Sequence, residues 1–117
     1  MSAGFEVADE VFWGTNGAVE AYVEAMAAHA NSRFGSDDPL AVFLRETVAE
    51  YFPGRVVSLD QWVADAPGCG KMLELLDAAT EQLLREGAFT DYGREWVATV
   101  VTALRERIAG ARQAEPA

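Results

Sequence analysis

Four stretches of the chain place apolar residues three and four positions apart, the spacing that puts side chains on one face of an α-helix. Three of the stretches begin at a capping residue, and each ends near a glycine or proline, as helices in proteins commonly do. The sequence predicts these helices over about residues 16–34, 38–52, 71–86 and 90–108, with a short helix after Ser58. This pattern predicts a mainly α fold, either a compact four-to-five-helix bundle or an orthogonal α-fold.

The opening of the chain alternates apolar and other residues as a β-strand does. The alternation runs from Phe5 to Trp13, but Asp9 interrupts the face that the apolar residues would share. A second short apolar run follows the Pro53-Gly54 break. The pattern therefore allows a minimal two-stranded β element formed by residues 5–13 and 55–58.

The length of 117 residues fits one domain. We expect a single acidic α-helical domain over residues 1–110 and a frayed C-terminal tail over residues 111–117. No apolar run approaches the roughly 20 residues of a membrane span. The N-terminus lacks the basic start and apolar core of a signal peptide. The sequence thus predicts a soluble, cytoplasmic protein.

The last predicted helix is apolar around much of its surface. Its apolar positions, from Tyr92 to Ile108, cover about half of the helical circumference. One neighbouring helix cannot cover so wide an arc, so we expect this helix to be central and packed by two others. The same arc could instead be the interface of a homodimer.

The chain carries a net charge of −10, from 19 acidic and nine basic residues. Residues 1–38 hold seven of the acids and a single arginine, Arg33, which gives this third a net charge of −6. Such a field repels nucleic acid and anionic membranes, because binding to phosphates depends on Lys and Arg. It attracts a basic protein partner, although the same charge could serve only to keep the protein in solution.

The segment Gly68-Cys69-Gly70-Lys71 before a predicted helix suggests a phosphate-binding loop, but its spacing does not fit. That motif has glycine where this chain has Asp65, and Ser or Thr where it has Met72. The glycines more simply form a turn after Pro67.

Cys69 and His29 are the residues best suited to nucleophilic or proton-transfer chemistry. A helix N-terminus and a nearby lysine both lower a thiol pKa, and a cysteine nucleophile also needs a base. A half-buried cysteine and a boundary histidine are the commoner interpretations. The sequence therefore predicts no catalytic residue, no metal ligand set and no cofactor.

Two acidic clusters and one tryptophan are the candidate partner-binding residues. On the helices where they lie, the acids fall opposite the apolar stripes and so face solvent or a partner. Trp13 adjoins the acid-rich opening and would be the binding anchor if it is exposed. The candidates are Glu20 with Glu24, Glu74 with Asp77 and Glu81, and Trp13.

The leading hypothesis is a non-catalytic protein-binding module for a basic partner. In size and charge alone, such a domain resembles bacterial immunity or antitoxin-type inhibitors, a resemblance that assigns no functional residue. A second hypothesis is a small-ligand or sensor domain, with an apolar pocket between helices lined by Tyr22, Met26, Phe43, Trp62 and Met72. Two further hypotheses are a structural homodimer subunit and a minimal enzyme that uses His29 or Cys69.

Overall fold

The computed structural model describes residues 2–114 and opens with a β-hairpin. Strand β1 (Ser2–Val7) pairs antiparallel with β2 (Glu10–Thr15), and Phe5 lies opposite Phe12. Ala8 and Asp9 form the two-residue turn with φ values of 52° and 67°. Positive φ at both positions matches a type I′ turn, which suits the twist of a hairpin, and aspartate tolerates it better than most residues.

A third strand completes the sheet. Strand β3 (Val56–Ser58) pairs parallel with β1, so the strand order is β2-β1-β3. The minimal β element that the sequence predicts from residues 5–13 and 55–58 is confirmed, and it has three strands in place of two. The segment 5–13 is two strands, because Asp9, which interrupts the apolar pattern, lies in the turn between them.

The helices confirm the mainly α prediction. They are α1 (Asn16–Phe34), α2 (Pro39–Ala49), a 3₁₀ turn (Asp60–Trp62), α3 (Ala66–Arg85), α4 (Asp91–Trp96) and α5 (Thr102–Ala114). A π-helical segment, Val97–Val101, joins α4 to α5, and we call residues 91–114 the C-terminal helix. Side chains cap three of the predicted starts: Thr15 accepts from Ala18, Asp38 from two amides of α2, and Thr90 from Gly93.

Helix α3 starts five residues earlier than the sequence predicts. Asp65 is its N-cap and accepts a hydrogen bond from the Gly68 amide at 2.7 Å. Pro67 lies in the first turn, where a helix needs no N–H group from it. Gly68 is required there because a β-carbon at this position would collide with the Trp62 carbonyl oxygen. The predicted turn at residues 68–70 is therefore the first part of the helix.

The core lies between the inner face of the sheet and the helices. Helix α1 packs against α2 and α3, and α3 in turn packs against α5. The prediction that the last helix is central is wrong, because α1 and α3 hold that place. The C-terminal helix packs against α3 and the sheet, which leaves part of its broad apolar arc uncovered.

The expected frayed tail, 111–117, falls partly within the structure. Helix α5 continues to Ala114, consistent with the strong helix-forming tendency of alanine, arginine and glutamine. Residues 115–117 lie outside the described part of the chain. Within residues 2–114, no helix is both long and apolar enough to cross a membrane.

Candidate protein-binding surface

Trp13 lies on the solvent side of the sheet, 51 % exposed. Successive residues of a strand point to opposite faces, and its neighbour Phe12 is buried in the core. Trp13 stands opposite Gly4 of β1, which has no side chain to cover the indole. The predicted anchor residue is thus exposed, as a binding role requires.

Trp96 fixes the C-terminal helix against this end of β2. Its indole Nε1–H donates to the Trp13 carbonyl oxygen at 2.7 Å, and the side chain is only 8 % exposed. Its ring meets the Tyr22 ring edge-on, with centroids 5.5 Å apart. The approach to β2 is so close that a β-carbon on Gly14 would lie 2.6 Å from the Trp96 ring. These contacts make Trp96 a rigid element of the surface.

A groove runs between the end of β2 and the start of the C-terminal helix. Its volume is about 310 Å³, and Tyr92, which is 72 % exposed, forms one wall. We call it the Trp13–Tyr92 groove; Ser2, Trp13, Gly14, Thr15, Tyr92, Trp96 and Val100 line it. A second hollow of about 210 Å³ adjoins it and is lined by Tyr92, Glu95, Trp96, Thr99 and Val100.

The charged residues around Tyr92 are mostly acidic. Arg94 forms an ion pair with Asp91, with 3.6 Å between the guanidinium and the carboxylate. Glu95 is exposed and forms no ion pair with any described residue. The hollow that adjoins the groove therefore combines the aromatic residues Tyr92 and Trp96 with the unpaired negative charge of Glu95.

The predicted acidic cluster on α3 is three separate ion-paired sites. The Glu74 carboxylate lies 3.3 Å from both His29 Nε2 and Arg33 Nε on α1. Arg105 of α5 donates two hydrogen bonds to Asp77, at 2.7 and 3.0 Å. Arg33 and Arg105 offset part of the negative charge that the sequence places on this helix.

The remaining candidate acids are Glu81 on α3 and Glu20 and Glu24 on α1. Glu81 pairs with Arg85 at 3.2 Å, an i,i+4 pair along one face of the helix. Glu24 is exposed and Glu20 is half-buried toward the end of α2. Burial, and then the Glu20 charge, raise the pKa of Tyr51. Neither Glu20 nor Glu24 forms an ion pair with any side chain that the structure describes.

Cys69 and His29 are each held by other partners. Cys69 is 1 % exposed, and its thiol donates to the Val63 carbonyl at 3.3 Å. His29 is bound to Glu74 at the surface of α1. Burial keeps the thiol away from any substrate in solution. Within the described residues, no three His, Cys, Asp or Glu side chains are grouped as a metal site would need.

The residues expected to line a ligand pocket are largely core. Tyr22, Met26 and Met72 are fully buried. The Tyr22 hydroxyl is 2.7 Å from the Thr80 hydroxyl, and burial raises the pKa of Tyr22. Trp62 instead lines a separate open cleft beside Lys71.

Comparison of the chain with protein-family models, curated proteins and solved structures finds no match. The surface must therefore be interpreted from its own chemistry. Sequence reasoning identified Trp13 but missed Tyr92, Trp96 and Glu95. The signal that pointed to them was the apolar arc of the last helix, which is wider than the core requires.

Proposed function

We propose that this protein is an acidic, non-catalytic protein-binding module that docks a basic partner through the Trp13–Tyr92 groove. The observation that carries the proposal is that two exposed aromatic residues, Trp13 and Tyr92, line one groove together with the fixed side chain of Trp96. Trp13 is 51 % and Tyr92 72 % exposed, although both are large apolar residues that a fold normally buries. Burying such side chains at an interface contributes about 1.5–3 kcal/mol each.

The chemistry of the groove suits protein recognition better than catalysis. Tryptophan and tyrosine are enriched among the residues that contribute most to binding energy at interfaces. Both are stiff, so ordering them on binding costs little conformational entropy. Trp96 is already fixed by its hydrogen bond to Trp13 and needs no rearrangement. This preorganisation favours affinity.

The net charge of −10 supports a basic partner. Surface charge of one sign steers an oppositely charged partner and raises the association rate. Glu20 and Glu24, which lack an ion-pair partner among the described side chains, can act in this way. Glu74, Asp77 and Glu81 remain candidate contacts, but each would share its charge with the cation it already binds.

Affinity capture from cell extract tests this function. The wild-type protein, Trp13→Ala and Leu84→Ala are immobilised; Leu84 is also an exposed apolar residue, 46 % accessible, but lies on α3 away from the groove lining. We expect a basic protein that wild type and Leu84→Ala retain and Trp13→Ala loses. Retention should fall between about 0.1 M and about 1 M salt, because the Debye length drops from about 10 to about 3 Å.

Equal retention by Trp13→Ala would contradict the assigned surface. A specific partner whose retention does not respond to salt would contradict the role of charge. Self-association of the protein in the same salt series, measured by sedimentation, would favour the homodimer hypothesis.

A further inference from the structure

The hollow beside Tyr92 lies on a single face of the C-terminal helix. Tyr92, Glu95, Trp96 and Thr99 follow the i, i+3, i+4, i+7 spacing of one helical face. The hollow shares Tyr92, Trp96 and Val100 with the Trp13–Tyr92 groove, so one bound segment could occupy both. It therefore extends the proposed binding surface toward Glu95.

Resting on the function proposed above, we infer that this hollow receives an arginine side chain of the basic partner. The Tyr92 ring forms no ring pair or cation–π contact with any described residue. Glu95 forms no ion pair within the described part of the chain, since the adjacent Arg94 binds Asp91. An aromatic face beside an unpaired carboxylate is a receptor for a cation.

A guanidinium group matches this site better than an ammonium group. It is planar, so it stacks on an aromatic ring, and it donates paired hydrogen bonds to a carboxylate. The methylene stem of arginine is apolar and suits the wall formed by Trp96 and Val100. Lysine would supply the charge but not the stacking plane.

A second copy of this chain is a poor occupant. Two copies, each with a net charge of −10, repel one another. Each arginine whose side chain is described is already engaged, with a carboxylate, a carbonyl or amide oxygen, or a ring. These are Arg33, Arg45, Arg55, Arg85, Arg94, Arg105 and Arg107. The charge repulsion and these existing contacts favour an arginine supplied by a different, basic protein over one from the described part of a second copy.

Peptide titration followed by NMR tests this inference without the natural partner. The probe is a blocked Leu-Arg-Leu peptide, and its control is the same peptide with citrulline, which keeps the shape but has no charge. We expect the arginine peptide to shift the Glu95 amide and the Trp96 indole resonances at millimolar concentration. The citrulline peptide should bind about threefold more weakly or worse.

Variants locate the interaction. Glu95→Gln and Tyr92→Leu should each weaken binding of the arginine peptide by about threefold or more, since one removes the carboxylate and the other the ring. Glu106→Gln makes the same charge change farther along the C-terminal helix and should leave binding unaltered. All three changed positions are exposed, so the fold should survive.

Equal binding of the citrulline and arginine peptides would overturn the inference, as would equal binding by Glu95→Gln and wild type. Neither result would affect the Trp13-dependent capture of a partner. If Trp13→Ala captured the partner as well as wild type did, while the arginine peptide still bound at Glu95, the function proposed for the whole groove would be contradicted.

Discussion

Replacing Gly14 with alanine should loosen the contact between β2 and the C-terminal helix. The new β-carbon would lie 2.6, 2.7 and 2.9 Å from three atoms of the Trp96 indole, distances that real β-carbons do not show. Gly14 is not among the residues with positive φ, so alanine fits the backbone conformation. The whole penalty therefore comes from displacing Trp96.

The magnitude follows from two terms. Forcing extra volume into a packed contact costs about 1–3 kcal/mol. Displacing the indole also breaks its 2.7 Å hydrogen bond to the Trp13 carbonyl, and leaving buried partners unpaired costs about 1–3 kcal/mol. Replacing a glycine in a strand with alanine by itself stabilises the fold by about 0.5–1 kcal/mol, which offsets part of this cost. We expect Gly14→Ala to lower the free energy of unfolding by about 2–4 kcal/mol, a fall in Tm on the order of 10 °C.

Urea unfolding followed by circular dichroism measures this change. Gly17→Ala is the matched control, because a β-carbon there meets nothing within 4 Å. It should keep or raise stability, by up to about 1 kcal/mol, since alanine favours a helix. Adding Trp96→Phe to Gly14→Ala removes the ring atoms in the clash, so the double variant should be more stable than the sum of the two single effects predicts.

Stability of Gly14→Ala within about 0.5 kcal/mol of wild type would refute the argument, because surface substitutions without a specific contact stay in that range. Strict additivity of Gly14→Ala and Trp96→Phe would refute it as well. Both results would mean that the indole is not held against the strand. The fixed position of Trp96 in the groove, and the preorganisation argued from it, would then be lost.

Two further predictions concern ionisable groups. Asp38→Ala should lower stability by about 1–2 kcal/mol through the lost helix cap. The hydrogen bond from Lys71 lowers the pKa of Asp38, so the ionised carboxylate stabilises the fold above the unfolded pKa near 4, and this stabilisation is lost as pH falls. Thermal melts at acid pH should therefore show a smaller loss of stability with falling pH for Asp38→Ala than for wild type. Tyr22→Phe loses the hydrogen bond to Thr80 and should cost about 0.5–1.5 kcal/mol at neutral pH. Burial raises the pKa of Tyr22, so wild type should lose stability as pH rises above about 10. Thermal melts from pH 9 to 11 should show a smaller loss of stability in Tyr22→Phe, and an equal loss in both proteins would contradict this.

Local rules predicted the features that depend on local contacts. Helix starts at Thr15, Asp38 and Thr90 follow from a side chain that reaches an amide two or three residues away. The start of α3 was missed because Pro67 and two glycines suggest a turn. A first helical turn tolerates both residue types, and the reason for Gly68 is a contact with the Trp62 carbonyl that only the fold reveals.

The acids of α3 show why the site was predicted only in part. On an isolated helix Glu74, Asp77 and Glu81 share one exposed face, so the sequence suggests a single field. In the fold, Glu74 binds Arg33 and His29 of α1, and Asp77 binds Arg105 of α5. Only the Glu81 pair is local enough to predict. Helical periodicity alone predicts one acidic cluster, whereas ion pairs with α1 and α5 separate its members in the fold.

Some of the acids left after these pairings lie in the β1–β2 hairpin, which also carries Trp13. Among the described residues of the first third, the acids that form no ion pair are Glu6, Asp9, Glu20, Glu24 and Asp37. Glu6 and Asp9 belong to the same hairpin as Trp13. In the proposed association, an unpaired charge in the same hairpin as an exposed tryptophan would add electrostatic steering to the burial of an aromatic side chain. Trp13 and Trp96 are 83 residues apart in the sequence, so only folding brings the two sides of the groove together.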